Sequence, residues 1–404
     1  MSDPVVYDVI VVGARAAGAP AAMLFARAGH RVLLLERSAF PADTLSTLYI
    51  QQPGVARLAR WGLLDAVRAT GCPPLDRVLY EVGGVRVSGC SSGIDGIREA
   101  YAPRRQLLDR ILVGGAVAAG AEFRDSCEVT GLVHDGDRVA GVRFKGSDGA
   151  VRTERAALVV GADGMRSTVA RLAGAAKEVE HPALTCAYYT FWRGPRTDFE
   201  MYEGPTGWIA AVPTNDATLI AAYHPQDRFD EVRRDALNAY LDSVRVNAPA
   251  LHAQLGDAER TERLYGTGDQ QNFFRTAAGP GWALIGDAGH HKDSLTAQGI
   301  GDALMQAELL VETVGEDIGD PVAQAAALSA FATERDARLS GPFQATLGVA
   351  QADAQGRRIA LLRAVSTSPE LTQRYFDTLS GVAPLDGLYT PELLRLMQES
   401  AATG

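Results

Sequence analysis

The sequence has few cysteines, few lysines and no long apolar run. Among its 404 residues, lysine occurs only at positions 145, 177 and 292, so arginine dominates the basic set. The four cysteines are scattered, with neither a C-x-x-C pair nor a metal-ligand spacing; they are Cys72, Cys90, Cys127 and Cys186. This usage is typical of reduced structural thiols in a cytoplasmic protein and excludes a disulfide-stapled domain.

The lack of long apolar runs and the negative net charge exclude further classes of protein. The first run, Val9–Val12, is too short for a signal peptide, and the longest later one, Ile111–Ala121, stops well short of a bilayer span. The net charge of −10 argues against a nucleic-acid partner or an anionic membrane surface, since both require basic surface. We therefore expect a cytoplasmic protein with no membrane or nucleic-acid partner.

What is present indicates a globular chain of several domains. Hydrophobic residues make up 47% of the sequence and charged residues 22%, which are ordinary values. At roughly 150 residues per domain, the length predicts two or three domains. A chain this long buries enough apolar surface to fold without a disulfide or metal staple.

The N-terminal segment has a strand–helix–strand pattern. The apolar run Val5–Val12 alternates too little for a half-exposed strand and predicts a buried parallel one. An alanine-rich helix, Ala19–Ala28, follows, with Pro20 in the first turn, where a missing N–H costs nothing. Gly29 suits the position after the helix, and Arg31–Glu36 predicts a second buried strand.

Two later regions follow different patterns. From Leu184 to His224 the sequence alternates, is rich in aromatics and is punctuated by glycine and proline, which predicts an antiparallel sheet. From about Pro321 the sequence is rich in alanine and leucine, which predicts helices. Pro342 and Pro369 are expected to interrupt them.

The first motif, Gly13-Ala14-Arg15-Ala16-Ala17-Gly18, joins the first strand to the first helix. Unpaired N–H groups at a helix start suit a pyrophosphate, and glycine allows close approach of the backbone. Arg15 replaces the middle glycine of G-x-G-x-x-G, so the motif alone also fits an ordinary strand–turn–helix. Glu36 strengthens the dinucleotide interpretation, because an acid at the end of the second strand accepts hydrogen bonds from ribose hydroxyls.

Two further strand-to-turn motifs follow. Leu158–Gly164 contains Asp163, which is either a turn former or a cofactor ligand. Trp282–His290 contains Gly286-Asp287, and Asp287 suits hydrogen bonds to ribose or ribityl hydroxyls. Gln298-Gly299-Ile300-Gly301 then begins a helix, whose N–H groups would present partial positive charge to the pyrimidine edge of a reduced flavin.

In this order and spacing the three motifs resemble the class A FAD-dependent aromatic monooxygenases, the para-hydroxybenzoate hydroxylase-like superfamily. Flavin halogenases and geranylgeranyl reductase-like enzymes are related to it. The resemblance covers most of the chain from Val5 to about Leu310. It implies an α/β fold: a Rossmann-like FAD-binding domain of the glutathione-reductase type, an inserted antiparallel-sheet substrate domain and C-terminal helices.

The resemblance also implies boundaries and ligands. The discontinuous FAD domain would comprise residues 1–75, 101–175 and 271–320. The substrate-capping sheet would comprise residues 76–100 and 176–270, and the helical region would comprise residues 321–404. Arg105, in Arg105-x-x-Leu108, resembles the family's FAD-contacting arginine, and the backbone of Val129 would meet the adenine. Asp163 would serve both FAD and the nicotinamide. The predicted cofactor residues are Gly13, Arg15, Gly18, Glu36, Arg37, Arg105, Val129, Asp163, Gly286, Asp287, Gln298, Gly299 and Ile300.

The activity implied is monooxygenation with NAD(P)H and dioxygen, through a flavin hydroperoxide, of a flat aromatic or polycyclic natural-product-type small molecule. The aromatic sheet would roof the substrate, or its aromatics are simply the sheet's core; the pocket residues predicted are Tyr189, Phe191, Trp208 and Ala210. His290 and His291, beside Lys292, are either bases for a phenolic substrate or structural. The chain would act as a monomer or homodimer.

Three alternatives stay open. One is an FAD-dependent reductase of an alkene or isoprenoid-like substrate; another is a non-catalytic FAD-binding or redox-sensing protein. A halogenase is weaker, because Ala210 takes the place of the second tryptophan in the halogenases' W-x-W-x-I-P strand and no lysine precedes Lys145. The chain also has Ser46-Thr47 where many of these hydroxylases carry an arginine, and Asp293-Ser294 where they usually carry prolines.

Overall fold

The computed structural model describes residues 6–41, 44, 46–316, 318–351 and 354–402. Val5, the first residue of the predicted opening strand, lies outside them, as do the outermost residues of the first and last predicted domain segments. Within the described chain, no helix combines the length and apolar character that a bilayer crossing requires.

The structure alternates strands and helices in its first third and ends in helices. The strands are β1 Val6–Val12, β2 Val32–Leu35, β3 Val78–Val82, β4 Val85–Gly89, β5 Glu122–Arg124, β6 Glu128–Asp135, β7 Arg138–Lys145, β8 Val151–Gly161, β9 Lys177–His181, β10 Thr185–Arg193, β11 Phe199–Glu203, β12 Trp208–Pro213, β13 Thr218–Pro225, β14 Glu259–Arg260, β15 Tyr265–Thr267, β16 Asn272–Arg275, β17 Ala278–Gly279, β18 Trp282–Leu284 and β19 His290–His291. The helices are α1 Gly18–Arg27, α2 Gln52–Arg60, α3 Leu64–Arg68, α4 Arg105–Ala118, α5 Thr168–Leu172, α6 Phe229–Val232, α7 Ala236–Asn247, α8 Pro249–Ala253, α9 Gly299–Val314, α10 Pro321–Ala350, α11 Gln355–Val365, α12 Pro369–Leu379 and α13 Pro391–Ala402.

The first sheet confirms the predicted Rossmann-like opening. Its strands run in the order β17-β18-β8-β1-β2-β5, with β7 on β8 and β6 on β7. Strand β1 is parallel to both neighbours, β2 and β8, and is buried among them, which is why its sequence is continuously apolar. Helices α1, α4 and α9 pack together on one face of this sheet. Gly29 follows α1 at φ +92°, as predicted for a residue after a helix end.

The second sheet runs β14-β10-β13-β12-β11-β3-β4 and is antiparallel, as predicted, except where β3 pairs parallel with β11. One face packs against α7, and its core includes Tyr202, Ile220 and Tyr240. The other face packs against α11 and α12. A third, three-stranded sheet, β19-β16-β9, lies at the motif that contains His290 and His291. The domain boundaries stay a prediction.

The C-terminal region is helical as expected, but the predicted interruption at Pro342 is wrong. Helix α10 runs through Pro342 from Pro321 to Ala350, whereas Pro369 starts α12. A proline inside a helix removes one main-chain hydrogen bond and crowds the preceding turn. Leu339, Phe343 and Leu347, which pack with Phe274 in a buried cluster, hold the helix together across that position.

A buried ion pair ties the C-terminal helices to the second sheet. Arg358, on α11, donates to both carboxylate oxygens of Glu203 at 2.6 and 2.7 Å, and the two side chains are 11% and 3% exposed. The Tyr80 hydroxyl also donates to Glu203, at 3.2 Å. Removing one member of such a pair leaves its partner charged in a poorly solvated position.

We expect Arg358→Met to lower the free energy of unfolding by about 3–5 kcal/mol. The double variant Glu203→Gln/Arg358→Met should lose clearly less, because no unpaired charge remains. As a matched control, Arg395→Met breaks an exposed pair with Glu399 and should change stability by less than about 1 kcal/mol. Urea unfolding of all three proteins measures this, and equal losses for Arg358→Met and Arg395→Met would contradict it.

Candidate functional site

A cavity of about 430 Å³ opens where β1, β2 and β8 end and where α1 and α9 begin. We call it the first cavity. All of the predicted cofactor residues except Gly18 and Gln298 line it: Gly13, Arg15, Glu36, Arg37, Arg105, Val129, Asp163, Gly286, Asp287, Gly299 and Ile300. The structure therefore brings together residues that lie up to 287 positions apart in the chain, from Gly13 to Ile300.

The turn after β1 has no room for side chains at its two glycines. Gly13 has φ +100°, and a Cβ on it would stand 2.4 Å from the carbonyl oxygen of Ala162. A Cβ on Gly18 would stand 1.8 Å from the carbonyl oxygen of Gly13. Gly18 thus shapes the turn without lining the cavity, because it allows α1 to start tightly against the strand end.

Glu36 is fixed by two main-chain donors at the end of β2. Its carboxylate accepts hydrogen bonds from the N–H groups of Ala14 and Ser38, both at 3.0 Å, and the residue is 4% exposed. These contacts hold the carboxylate at the cavity wall, where its remaining lone pairs can accept from ribose hydroxyls. The acid thereby joins the turn after β1 to the loop after β2.

Two arginines share one buried carboxylate at the cavity wall. Asp109, fully buried on α4, pairs with Arg105 at 3.1 Å and with Arg15 at 3.2 Å. Burial raises the pKa of Asp109, while the two guanidinium groups oppose this shift. Arg15 and Arg105 both line the first cavity, and guanidinium donors beside such a turn suit a pyrophosphate.

The two aspartates of the later motifs are placed differently. Asp163 is bound within its own turn: its carboxylate accepts from the Ser167 hydroxyl and from the N–H groups of Thr168 and Val169. Burial raises the pKa of Asp163 despite these donors. Asp287 is exposed on the cavity wall, and its carboxylate accepts no hydrogen bond from the described residues. The Asp287 carboxylate is therefore available to bind a ligand, whereas the Asp163 carboxylate stabilises its own turn.

The loop that carries Asp293 and Ser294 is held by hydrogen bonds instead of prolines. Asp293 accepts from the Thr185 hydroxyl at 2.7 Å and from the N–H of Leu295 at 3.0 Å. Its own N–H donates to Asn272 at 2.7 Å. The following segment contains Ala297 at φ +52°, a left-handed conformation that is strained for a residue with a Cβ.

A second cavity, of about 310 Å³, lies on the other side of this segment. Ala297 and Gly299 line the first cavity, whereas Thr296 and Gln298 line the second. Gln298, which was predicted to bind the cofactor, lines the second cavity and not the first. Its cofactor role stays a prediction.

Aromatic residues form much of the second cavity's wall. Tyr49 stacks on Phe199 at 4.0 Å between ring centroids, and Tyr80 lies parallel to Tyr375 at 6.4 Å. Residues of α10, α11 and α12 complete the wall. The described residues offer no hydrogen-bond partner to the hydroxyls of Tyr49 and Tyr375, and burial raises both pKa values, so these phenols stay neutral.

The predicted substrate residues share one sheet face but not this cavity. Strand register places Tyr189 and Ala210 opposite Ala221, and Phe191 and Trp208 fall on the same face. None of the four is among the residues that line the second cavity, which lies against β3 and β11 at the other end of the sheet. Trp208 is 3% exposed and its indole nitrogen has no partner among the described residues. Their role in substrate binding stays a prediction.

The histidine pair lies on the first cavity in an unfavourable setting for a base. His290 is buried between Phe274 and Phe343, with ring centroids at 4.4 and 5.7 Å. Burial, followed by the nearby charges of Lys292 and Arg335, holds the pKa of His290 well below its usual range. His291 contacts the carbonyl oxygen of Gln271 through Nδ1. The catalytic assignment of both stays a prediction.

Sequence reasoning missed several polar residues of this site, among them Asp109, Asp302 and Gln306. Asp109 and Arg105 are four apart on one helix, a spacing that signals a pair. Asp302 and Gln306 are likewise four apart and both line the first cavity. Gln306 is fully buried, and its carbonyl accepts from the N–H of Gly286 at 3.1 Å. Helical spacing would have found these residues only if the cavity were already known.

A family described as "FAD binding domain" matches residues 6–343. A "Tryptophan 2-halogenase" of Chondromyces crocatus is 28% identical over 342 residues, which are 81% of this chain and 64% of that protein. A "Digeranylgeranylglycerophospholipid reductase 1" of Methanopyrus kandleri is 29% identical over 334 residues, 77% of this chain and 82% of that protein. The solved structure of pqsL, "a probable FAD-dependent monooxygenase" of Pseudomonas aeruginosa, superimposes with a TM-score of 0.70 at 21% identity, covering 93% of this chain and 99% of that one.

We expect Glu36→Ala and Asp287→Ala each to weaken FAD binding by about 1.5–3 kcal/mol, because each removes a charge-assisted hydrogen-bond acceptor from the wall of the first cavity. Titration of the apoprotein with FAD, followed by fluorescence, measures this. Asp257→Ala, at an exposed position outside the cavity, is the control and should bind FAD normally. Unchanged affinity of the Asp287 variant would contradict its assignment as a ribose or ribityl ligand.

Proposed function

The chain belongs to the FAD binding domain family, and on that premise we propose that this FAD-dependent oxidoreductase is a monooxygenase that uses NAD(P)H and dioxygen on a flat, apolar aromatic compound. The observation that carries the proposal is the pair of cavities. A polar cavity with a pyrophosphate-type turn and an aromatic cavity share one strained wall, the segment from Thr296 to Gly299.

The first cavity has the donors and acceptors that FAD needs. In our proposal Gly13 and Glu36 hold the adenosine end, and Arg15 and Arg105 lie beside the pyrophosphate. Asp287 accepts from the ribityl chain. Gly299 and Ile300 would offer N–H groups at the start of α9 to the pyrimidine ring. The bound cofactor would supply hydride acceptance from NAD(P)H and the activation of dioxygen.

The second cavity would then hold the substrate beside the flavin ring. Its volume is at the lower end of the roughly 300–1,000 Å³ typical of small-molecule sites. The stacked rings of Tyr49 and Phe199 suit a flat compound, and the unpartnered hydroxyls of Tyr49 and Tyr375 can donate to a polar substituent. Such a wall excludes water, which favours transfer of oxygen to the substrate over release of peroxide.

The second candidate is a reductase of an alkene. The observation that favours it is the aliphatic part of the same wall, where Leu361, Leu379 and Leu388 line the cavity. A branched isoprenoid chain fits such a surface as well as a ring does. The related reductase of Methanopyrus kandleri adds weight to this alternative.

The decisive experiment compares oxygen use with anaerobic reduction. We expect NADPH oxidation by the FAD-loaded protein to be stimulated by flat probes, indole and 1-naphthol, with label from ¹⁸O₂ in the product. Geranylgeraniol under anaerobic conditions tests the reductase. Two results together would overturn the proposal. They are NADPH-dependent saturation of geranylgeraniol and, with either aromatic probe, conversion of oxygen to peroxide alone.

We expect Leu361→Trp to raise the KM for a stimulating probe at least tenfold, because the indole would fill part of the second cavity. FAD content should not change, since Leu361 does not line the first cavity. Arg363→Trp, at an exposed position on the same helix, is the control. An unchanged KM in the Leu361 variant would show that substrate binds elsewhere.

A further inference from the structure

The first cavity contains one buried ion pair that the family motifs do not account for. The Nζ of Lys292 lies 2.9 Å from Oδ2 of Asp302, and the two side chains are 3% and 19% exposed. Both residues line the first cavity. The ammonium has no hydrogen-bond partner among the described residues, and its contact with Asp302 is an ion pair.

The pair lies at the start of α9. Lys292 directly follows β19, and Asp302 is the acidic residue in the first turn of α9, three residues after Gly299. An acid in a first turn stabilises the helix, because it complements the positive helix end. Here the same carboxylate also cancels part of the positive potential that the helix end would direct into the cavity.

The charged and titratable groups next to Lys292 in this segment have contacts of their own. The carboxylate of Asp293 is taken by Thr185 and Leu295, and Arg335 pairs with Asp336. His290 is held in its neutral form by burial and by the nearby cations. His291 contacts a main-chain carbonyl. Lys292 is therefore the cation that balances Asp302.

We propose that Lys292 is a positioning residue for flavin chemistry: it neutralises Asp302, so that the N-terminus of α9 presents net positive potential to the pyrimidine end of the cofactor. This potential stabilises the reduced, anionic cofactor. The inference rests on FAD binding in the first cavity, as proposed above, but not on any particular substrate.

Sulfite is the probe for this potential. It adds to the ring of an oxidised flavin through its sulfur lone pair and leaves negative charge on the pyrimidine part, so its dissociation constant reports positive potential there. We expect Lys292→Met to weaken sulfite binding about tenfold or more and to lower the reduction potential, because Asp302 is left unbalanced. Asp302→Asn should shift both quantities in the opposite direction.

Three further variants distinguish charge balance from a merely structural pair. The double variant Lys292→Met/Asp302→Asn restores neutrality and should return sulfite affinity to within about threefold of the wild type. Lys292→Arg keeps the charge and should do the same. Lys145→Met removes an exposed lysine at the end of strand β7 and should change nothing.

Failure of the Lys292 proposal can be distinguished from failure of FAD binding. Sulfite affinities that are equal in Lys292→Met and Asp302→Asn, or that shift in the same direction, would overturn the proposal, even if FAD content or thermal stability falls. The near-isosteric Asp302→Asn variant keeps the test valid if Lys292→Met does not fold. Failure of the wild-type protein to bind FAD would instead reject the cofactor assignment, which is a different result.

Discussion

Two main-chain hydrogen bonds fix the geometry on which the rest of the site depends. The N–H of Gly13 donates to the carbonyl of Leu35 at 2.7 Å, and the N–H of Ala162 donates to the carbonyl of Val12 at 2.8 Å. They join the ends of the three central parallel strands at one point. Because the backbones are so close there, only glycine fits at position 13.

The charged side chains around that junction form pairs of opposite sign. Arg15 occupies a position where related motifs carry glycine, and Asp109 from α4 holds its guanidinium at the wall, with Arg105 supplying the second positive charge. At the far end of the same cavity, Lys292 and Asp302 repeat the arrangement with one charge of each sign. Both arginines line the cavity near the turn after β1, and the lysine–aspartate pair lines it near the start of α9.

The sequence allowed prediction of those parts of the fold that depend on local pattern. The strand–helix–strand opening, the alternating aromatic sheet and the acid at Glu36 follow from periodicity and spacing, and the structure has the predicted elements. Three features could not be predicted. Helix α10 continues through Pro342 because tertiary packing outweighs the lost hydrogen bond. The partners of Arg15 and the wall of the second cavity come from segments far apart in the chain, and no local pattern indicates which distant segments meet.

The second cavity has a consequence for how the chain is made. Its floor, with Tyr80 and Phe199, is synthesised well before α11 and α12, which cover it and which lie beyond the part that matches the family. At about 5–20 residues per second, the ribosome leaves this apolar sheet face uncovered for roughly 10–30 seconds. During that interval the nascent chain exposes an apolar face that favours aggregation, and the second cavity is complete only once its C-terminal wall has been made.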